Sequence, residues 1–238
     1  MIDVHTHILP ELDDGSRSVE ESRKMLKALL EQGVDTVVAT PHFYIDGTTL
    51  ESFFEEREVS QKKLTDSIPR NERPALAVGA EVQFFADMYT MENIEKLCIS
   101  GTRYMLVEMP FSTWSGYLYK ALNQLYVTKG ITPIIAHVER YFEFQEEDSA
   151  EVIRRLKDAN ALIQINSSFL TFRGTRRNAL KLVKKGLINF MGSDCHSIDY
   201  RPPEIRAGYD VIFKKMGESG VDAFAYWAEK LKEKIETV

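Results

Sequence analysis

Short runs of β-branched and aliphatic residues punctuate the chain at Ile2–His5, Thr36–Ala39, Ala75–Val78, Tyr104–Val107, Thr132–Ala136, Ala161–Ile165 and Ile188–Met191. Each run gives way to a polar turn, and between runs the apolar residues recur about every 3.6 positions, the helical period. Ser22–Gly33 gathers Met25, Leu26, Leu29 and Leu30 on one face and stops at glycine. Trp114–Gly130 turns Leu118, Leu122 and Leu125 inward. Ser149–Ala159 behaves similarly, and Asn178–Gly186 ends in Lys184-Lys185-Gly186, with cations in the last turn and glycine beyond. Val221–Val238 reads as an amphipathic helix packed on the outside.

Strand-like runs alternating with helices predict a parallel sheet with helical crossovers. Seven such units favour a distorted (β/α)7 TIM-like barrel over an open sheet, and neither a glycine-rich dinucleotide fingerprint nor a P-loop argues for the open form. The 238 residues, 44% hydrophobic and 28% charged, suit one soluble domain over 1–238 with a core that needs no disulfide. No signal-peptide pattern and no apolar run of roughly 20 residues is present, so a cytoplasmic protein without membrane insertion is expected. The two cysteines, Cys98 and Cys195, read as buried free thiols. The net charge of −6 without a basic block gives nucleic acid no footprint. An acidic protein that handles an anion must concentrate positive charge locally, through metal ions or a few placed arginines.

All five histidines, His5, His7, His42, His137 and His196, fall at or just beyond the C-terminal end of an expected strand. In a parallel barrel those ends share one face, where active sites are built. One histidine there would mean little; all five there imply a shared site. Asp14, Glu81, Glu108 and Asp194 occupy equivalent strand ends, and a carboxylate directly after an apolar strand is costly unless paired or metal-bound. Strand alternation puts His5 and His7 on one side, and likewise Asp194 and His196. Nine candidate ligands exceed what one ion uses, so two or three metals with a bridging carboxylate are expected. Imidazole and carboxylate without thiolate suit Mn²⁺, Zn²⁺ or Fe, and the carboxylate richness leans toward Mn²⁺. Arg140 and Arg201, three residues after His137 and five after His196, offer the planar bidentate donors that a phosphomonoester dianion needs.

His5-Thr6-His7, Asp13-Asp14-Gly15, Thr40-Pro41-His42, Ala80-Glu81, Val107-Glu108, Ala136-His137-Val138-Glu139-Arg140-Tyr141 and Ser193-Asp194-Cys195-His196 resemble the ordered motifs of the polymerase-and-histidinol-phosphatase (PHP) superfamily. Within it the likeness is nearest to the bacterial protein tyrosine phosphatases of capsular and exopolysaccharide biosynthesis, and it runs from Met1 to about Pro203. The resemblance implies a PHP-type phosphoesterase domain with a three-metal, usually manganese, site. His5, His7, Glu81 and Asp194 would hold one ion, Glu81 with Glu108 and His137 a second, and Asp14, His42 and His196 a third. It also implies that Arg140 and Arg201 contact phosphate, and that the substrate is a phosphotyrosine protein, a tyrosine autokinase in the family setting. A histidinol-phosphate or other small phosphomonoester phosphatase is the alternative activity, and an inactive metal-binding scaffold the alternative class. Cys195 and Arg201 share the spacing of cysteine-dependent tyrosine phosphatases, but His196-Ser197-Ile198-Asp199-Tyr200 lacks the glycines such a phosphate loop uses. A metal mechanism is therefore expected, with Cys195 a bystander.

Overall fold

The computed structural model describes residues 1–238. Nine strands run through it: β1 (Ile2–Thr6), β2 (Thr36–Ala39), β3 (His42–Phe43), β4 (Ala75–Val78), β5 (Glu81–Gln83), β6 (Tyr104–Glu108), β7 (Thr132–Ile135), β8 (Leu162–Asn166) and β9 (Phe190–Gly192). Every pairing is parallel, in the orders β1-β2-β4 and β3-β5-β6-β7-β8-β9. Beyond β9 the chain reaches back to β1: Asp194 N–H donates to the His5 carbonyl and His7 N–H to the Cys195 carbonyl, both at 2.9 Å. The sheet therefore curls until its last strand lies beside its first. Pro41, which cannot donate to a ladder, sits at the break between β2 and β3.

Eight helices accompany the strands: α1 (Val19–Glu31), α2 (Leu50–Ser67), α3 (Gly116–Lys129), α4 (Ser149–Asp158), α5 (Ser167–Thr171), α6 (Arg176–Lys184), α7 (Arg206–Met216) and α8 (Glu218–Lys232). Side chains of Ser18, Thr49 and Asp148 accept from first-turn N–H groups of α1, α2 and α4, which fixes where those helices start. Met25, Leu26 and Leu29 of α1 are buried as expected, whereas Leu30 turns to solvent. Helix α2 escaped the periodicity reading because it is charged around most of its circumference and buries only Leu50, Phe53, Ser60 and Leu64.

Two apolar cores result. The larger lies between strands and helices, and a separate eleven-residue cluster fills the inside of the curl. That inner cluster includes Ile2, Val4, Val38, Ala77, Leu106, Ile134 and Phe190 from the strands together with Ala228 and Leu231 from α8. The last helix thus closes the N-terminal end of the curl instead of lying on the outside. No helix is long and apolar enough to cross a membrane.

Candidate metal centre

Strand alternation carries the inner face up to the site. Val38 points inward, so two and four residues on, Thr40 and His42 do too; Ala77 is followed the same way by Glu81, Leu106 by Glu108, and Phe190 by Asp194 and His196. Two strands break the count. On β1, Ile2 and Val4 already face inward, which would send His5 outward. The ladder slips there: Asp3 pairs with Val37 but Thr6 with Ala39, so one extra residue is accommodated and His5 and His7 are re-aimed inward. On β7, Ala136 faces inward, and His137 follows it with φ 29° and ψ 55°, a turn of the backbone that returns its ring to the centre. Asp194 also has positive φ, 55°. Non-glycine residues in such conformations persist where surrounding structure holds them, often at functional sites.

The nine expected side chains come together around Glu81. Its Oε2 lies 3.1 Å from His5 Nε2 and 3.2 Å from both His7 Nε2 and His42 Nδ1, and its Oε1 lies 2.8 Å from His137 Nε2. His5 and His7 face each other Nε2 to Nε2 at 3.1 Å. Asp194 Oδ1 is 3.5 Å from His5 Nε2 and 3.6 Å from His7 Nε2 and His196 Nδ1. Asp14 Oδ1 stands 3.5 Å from His42 Nε2 and 3.4 Å from His196 Nε2, and Glu108 Oε1 is 3.8 Å from His137 Nε2. Four overlapping groups have ligand atoms close enough for one cation each: His7–Asp14–His42–His196, His5–His7–Glu81, His5–His137–Asp194 and His42–Glu81–Glu108. The set expected for the third ion reappears with His7 added. Glu108 groups with His42 and Glu81, while its nearest histidine nitrogen is that of His137, as expected.

The donor set fits cations. Glu81 Oε2, His42 Nδ1 and His196 Nε2 are buried without a hydrogen-bond partner, although other ligand atoms lie within 3.5 Å of each. Lone pairs that crowd together without aligned hydrogens need a positive ion among them. Protons partly fill that role in the metal-free chain. Burial opposes charge on His7, yet its hydrogen bond to Asp13 and the adjacent Glu81 carboxylate raise its pKa to about 10. His5 is raised as well, burial being outweighed by Glu81 and Asp194. Burial pushes Glu81 up, but the charge of His5 and its contacts with His137 and His7 hold it well below the carboxylate range. Glu108, buried and repelled by Glu81, rises to about 7.

Asp13, which the sequence reading passed over for its neighbour, orients the centre. Its Oδ2 meets His7 Nδ1 at 2.7 Å and accepts His42 N–H at 3.0 Å, and its Oδ1 accepts Gly15 N–H at 2.9 Å. A carboxylate behind a ligating imidazole fixes its tautomer and raises its basicity. Gly15 is required there, since a Cβ would sit 2.3 Å from the His7 carbonyl oxygen. The doublet Asp13-Asp14 was the available signal.

Arg140 and Arg201 stand at the rim, each with Nη2 2.5 Å from Asp194 Oδ2. The Arg140 contact is a hydrogen bond, and both arginines line a cleft of about 200 Å³ with Ser167, Ser168 and Tyr200. A second cleft of about 420 Å³ opens over Asp14, His42 and Tyr44. Tyr44 stacks on His42 at 5.0 Å, and Phe111 lies parallel to His137 at 6.5 Å. The Cys195 thiol points the other way, into the outer core, and burial pushes its pKa far up.

Comparison with known proteins places relatives around this geometry. The profile of the family described as "Capsular polysaccharide synthesis, CpsB/CapC" matches residues 1–230. The tyrosine-protein phosphatase CpsB of Streptococcus pneumoniae is 32% identical over 237 residues, covering 91% of each chain. The tyrosine-protein phosphatase YwqE of Bacillus subtilis is 30% identical over 225 residues, covering 91% of this chain and 85% of its own. A solved structure from the pair YwqE of Bacillus subtilis and CpsB of Streptococcus pneumoniae, described as metal-dependent tyrosine phosphatases, superposes with a TM-score of 0.83. It is 27% identical and covers 100% of this chain and 97% of that one.

Proposed function

Because the chain belongs to the CpsB/CapC family of capsular polysaccharide synthesis, we propose that it is a metal-dependent protein tyrosine phosphatase that opposes a bacterial tyrosine autokinase in the cytoplasm. One observation carries the reading: five histidines and three carboxylates cluster around Glu81, with unpartnered lone pairs among them, and two arginines stand beside them. We read the sheet as a distorted (β/α)7 barrel in a single domain over 1–238, with β2 and β3, and β4 and β5, each the halves of one interrupted strand.

Three manganese ions are the occupants we propose; His5, His7, Asp14, His42, Glu81, Glu108, His137, Asp194 and His196 would hold them, Glu81 standing at the centre of the set. When bound, they supply Lewis acidity at the phosphoryl oxygens and activate the attacking water. Arg140 and Arg201 receive the transferring group. Each keeps guanidinium N–H groups beyond the one spent on Asp194, and a planar fork matches phosphoryl oxygens two at a time. Asp194 thereby aims both arginines through Oδ2 while Oδ1 faces the histidines. Water enters from the rim, because the floor is sealed by the inner apolar cluster. A departing tyrosinate, of pKa about 10, needs only modest acid assistance. Metal-reconstituted protein should turn over a phosphotyrosyl peptide far faster than histidinol phosphate; the reverse preference would replace this reading with the small-molecule one.

A further inference from the structure

Strand β8 delivers none of the nine ligands, yet its inward face is polar. In Leu162-Ile163-Gln164-Ile165-Asn166 the isoleucines enter the outer core, and Gln164 and Asn166 point to the centre. Both amides are buried, Gln164 completely. A buried amide without partners costs about 1–3 kcal/mol, so their partners matter. Gln164 Oε1 accepts His137 N–H at 2.6 Å and lies 3.2 Å from His5 Nδ1. Gln164 Nε2 donates to Asn166 Oδ1 at 2.9 Å, and Asn166 Nδ2 donates to Asp194 Oδ2 at 2.9 Å. Two amides in series therefore touch three ligand residues on three sides of the centre.

The polarity of this chain is set by a group that has no choice. A backbone N–H can only donate, so the atom facing His137 is the amide oxygen. The same oxygen faces His5 Nδ1, which must then carry a hydrogen. His5 is left with Nε2 as its free lone pair, directed at Glu81 and His7. At the far end, Asn166 occupies the Asp194 oxygen that the arginines use and leaves Oδ1 to the histidines. Gly192 makes room for the arrangement, since a Cβ there would stand 2.7 Å from His5 Cβ and 3.0 Å from Gln164 Nε2.

We infer that Gln164 and Asn166 are positioning residues of the metal centre, a relay that fixes the His5 tautomer, the turned backbone of His137 and the rotation of the Asp194 carboxylate. The inference rests on the reading of this cluster as a metal site. Its test is Mn²⁺ titration of the metal-stripped full chain, for the wild type, Gln164→Met, Asn166→Ala and the double variant, with melting curves of each metal-free protein. Each single variant should bind Mn²⁺ about 10–100-fold more weakly, the range for lost partners of metal ligands. Metal-free melting should fall for Gln164→Met, which strips the buried His137 N–H of its partner, and less for Asn166→Ala; the Mn²⁺ affinity of the double variant should fall scarcely below that of the worse single one, because the amides act in series. If Gln164→Met does not fold, Asn166→Ala alone decides, since it leaves the contacts to His5 and His137 in place. Wild-type Mn²⁺ affinity in the folded variants overturns the relay. A wild type that takes up no metal overturns the metal-site reading itself, and the relay with it.

Discussion

Replacing Cys195 by serine separates a metal mechanism from a thiolate mechanism at one atom. The thiol is fully buried in the outer core, its pKa is pushed far above the ordinary thiol value, and its neighbours Asp194 and His196 point to the opposite face. A thiolate nucleophile would have to form and reach substrate from that position. Serine preserves the shape and exchanges sulfur for a hydroxyl, whose burial without a partner costs about 1–3 kcal/mol. Ser193, already in contact with the thiol, can accept from the new hydroxyl and keep the loss toward the lower end. At roughly 2–4 °C per kcal/mol for a chain of this size, the melting temperature should drop by roughly 2–12 °C. Hydrolysis of p-nitrophenyl phosphate in Mn²⁺, measured well below that midpoint, should stay near the wild-type rate. Arg201→Ala is the contrast: it removes a donor proposed to meet charge on the phosphoryl group and should lower turnover by roughly 10²–10³-fold. If Cys195→Ser abolishes hydrolysis while metal content and folding remain normal, the nucleophile is the sulfur and the metal assignment is wrong.

Three further outcomes follow from the centre. Chelator-treated protein should lose phosphatase activity, with Mn²⁺ among the best ions for restoring it; full activity in protein shown metal-free by elemental analysis would refute the role of metal. Glu81→Gln should lower both metal content and turnover, because a neutral amide replaces the carboxylate that four histidines surround; wild-type values for both would remove Glu81 from the centre. Metal uptake should release protons. His7, with a pKa near 10, is protonated at neutral pH in the metal-free chain, so affinity should rise with pH toward 10 and fall as acid is added. Calorimetry in two buffers of different ionisation heat would measure the release, and none at pH 7 would contradict the protonated state assigned to His7.

Much of the architecture was legible because burial imposes period 2 on strands and period 3.6 on helices. Thr36–Ala39 and Ala75–Val78 were delimited to the residue. The centre was legible for a different reason: five histidines and several carboxylates at strand ends have no apolar explanation. What escaped was short or depended on the third dimension. Strands β3 and β5 hold two and three residues, too few to show a period. The slip in β1 and the positive φ of His137 are responses to neighbouring strands, and sequence spacing alone had implied straight alternation. Gln164 and Asn166 did carry a signal, two amides at alternate positions of an aliphatic strand, but an amide can pair with backbone almost anywhere and so points nowhere by itself. Asp13 was hidden beside Asp14, and only the fold shows which of the two reaches His7 and which stays exposed.

The seam between β1 and β9 joins positions near opposite ends of the chain, as in the bond from Ser193 N–H to Asp3 Oδ1 across 190 residues. A ribosome delivers His5 and His7 well before Asp194, His196 and Arg201. Loop-closure entropy places such a contact late in folding, after the local βα units have formed. A growing chain therefore carries its imidazoles as scattered weak ligands, unable to retain an ion against water. If these residues hold metal as proposed, capture would become strong only when β1 meets β9, and the cations would then act as a clasp between the two strands. Metal occupancy would then distinguish a chain that has closed from one that has not.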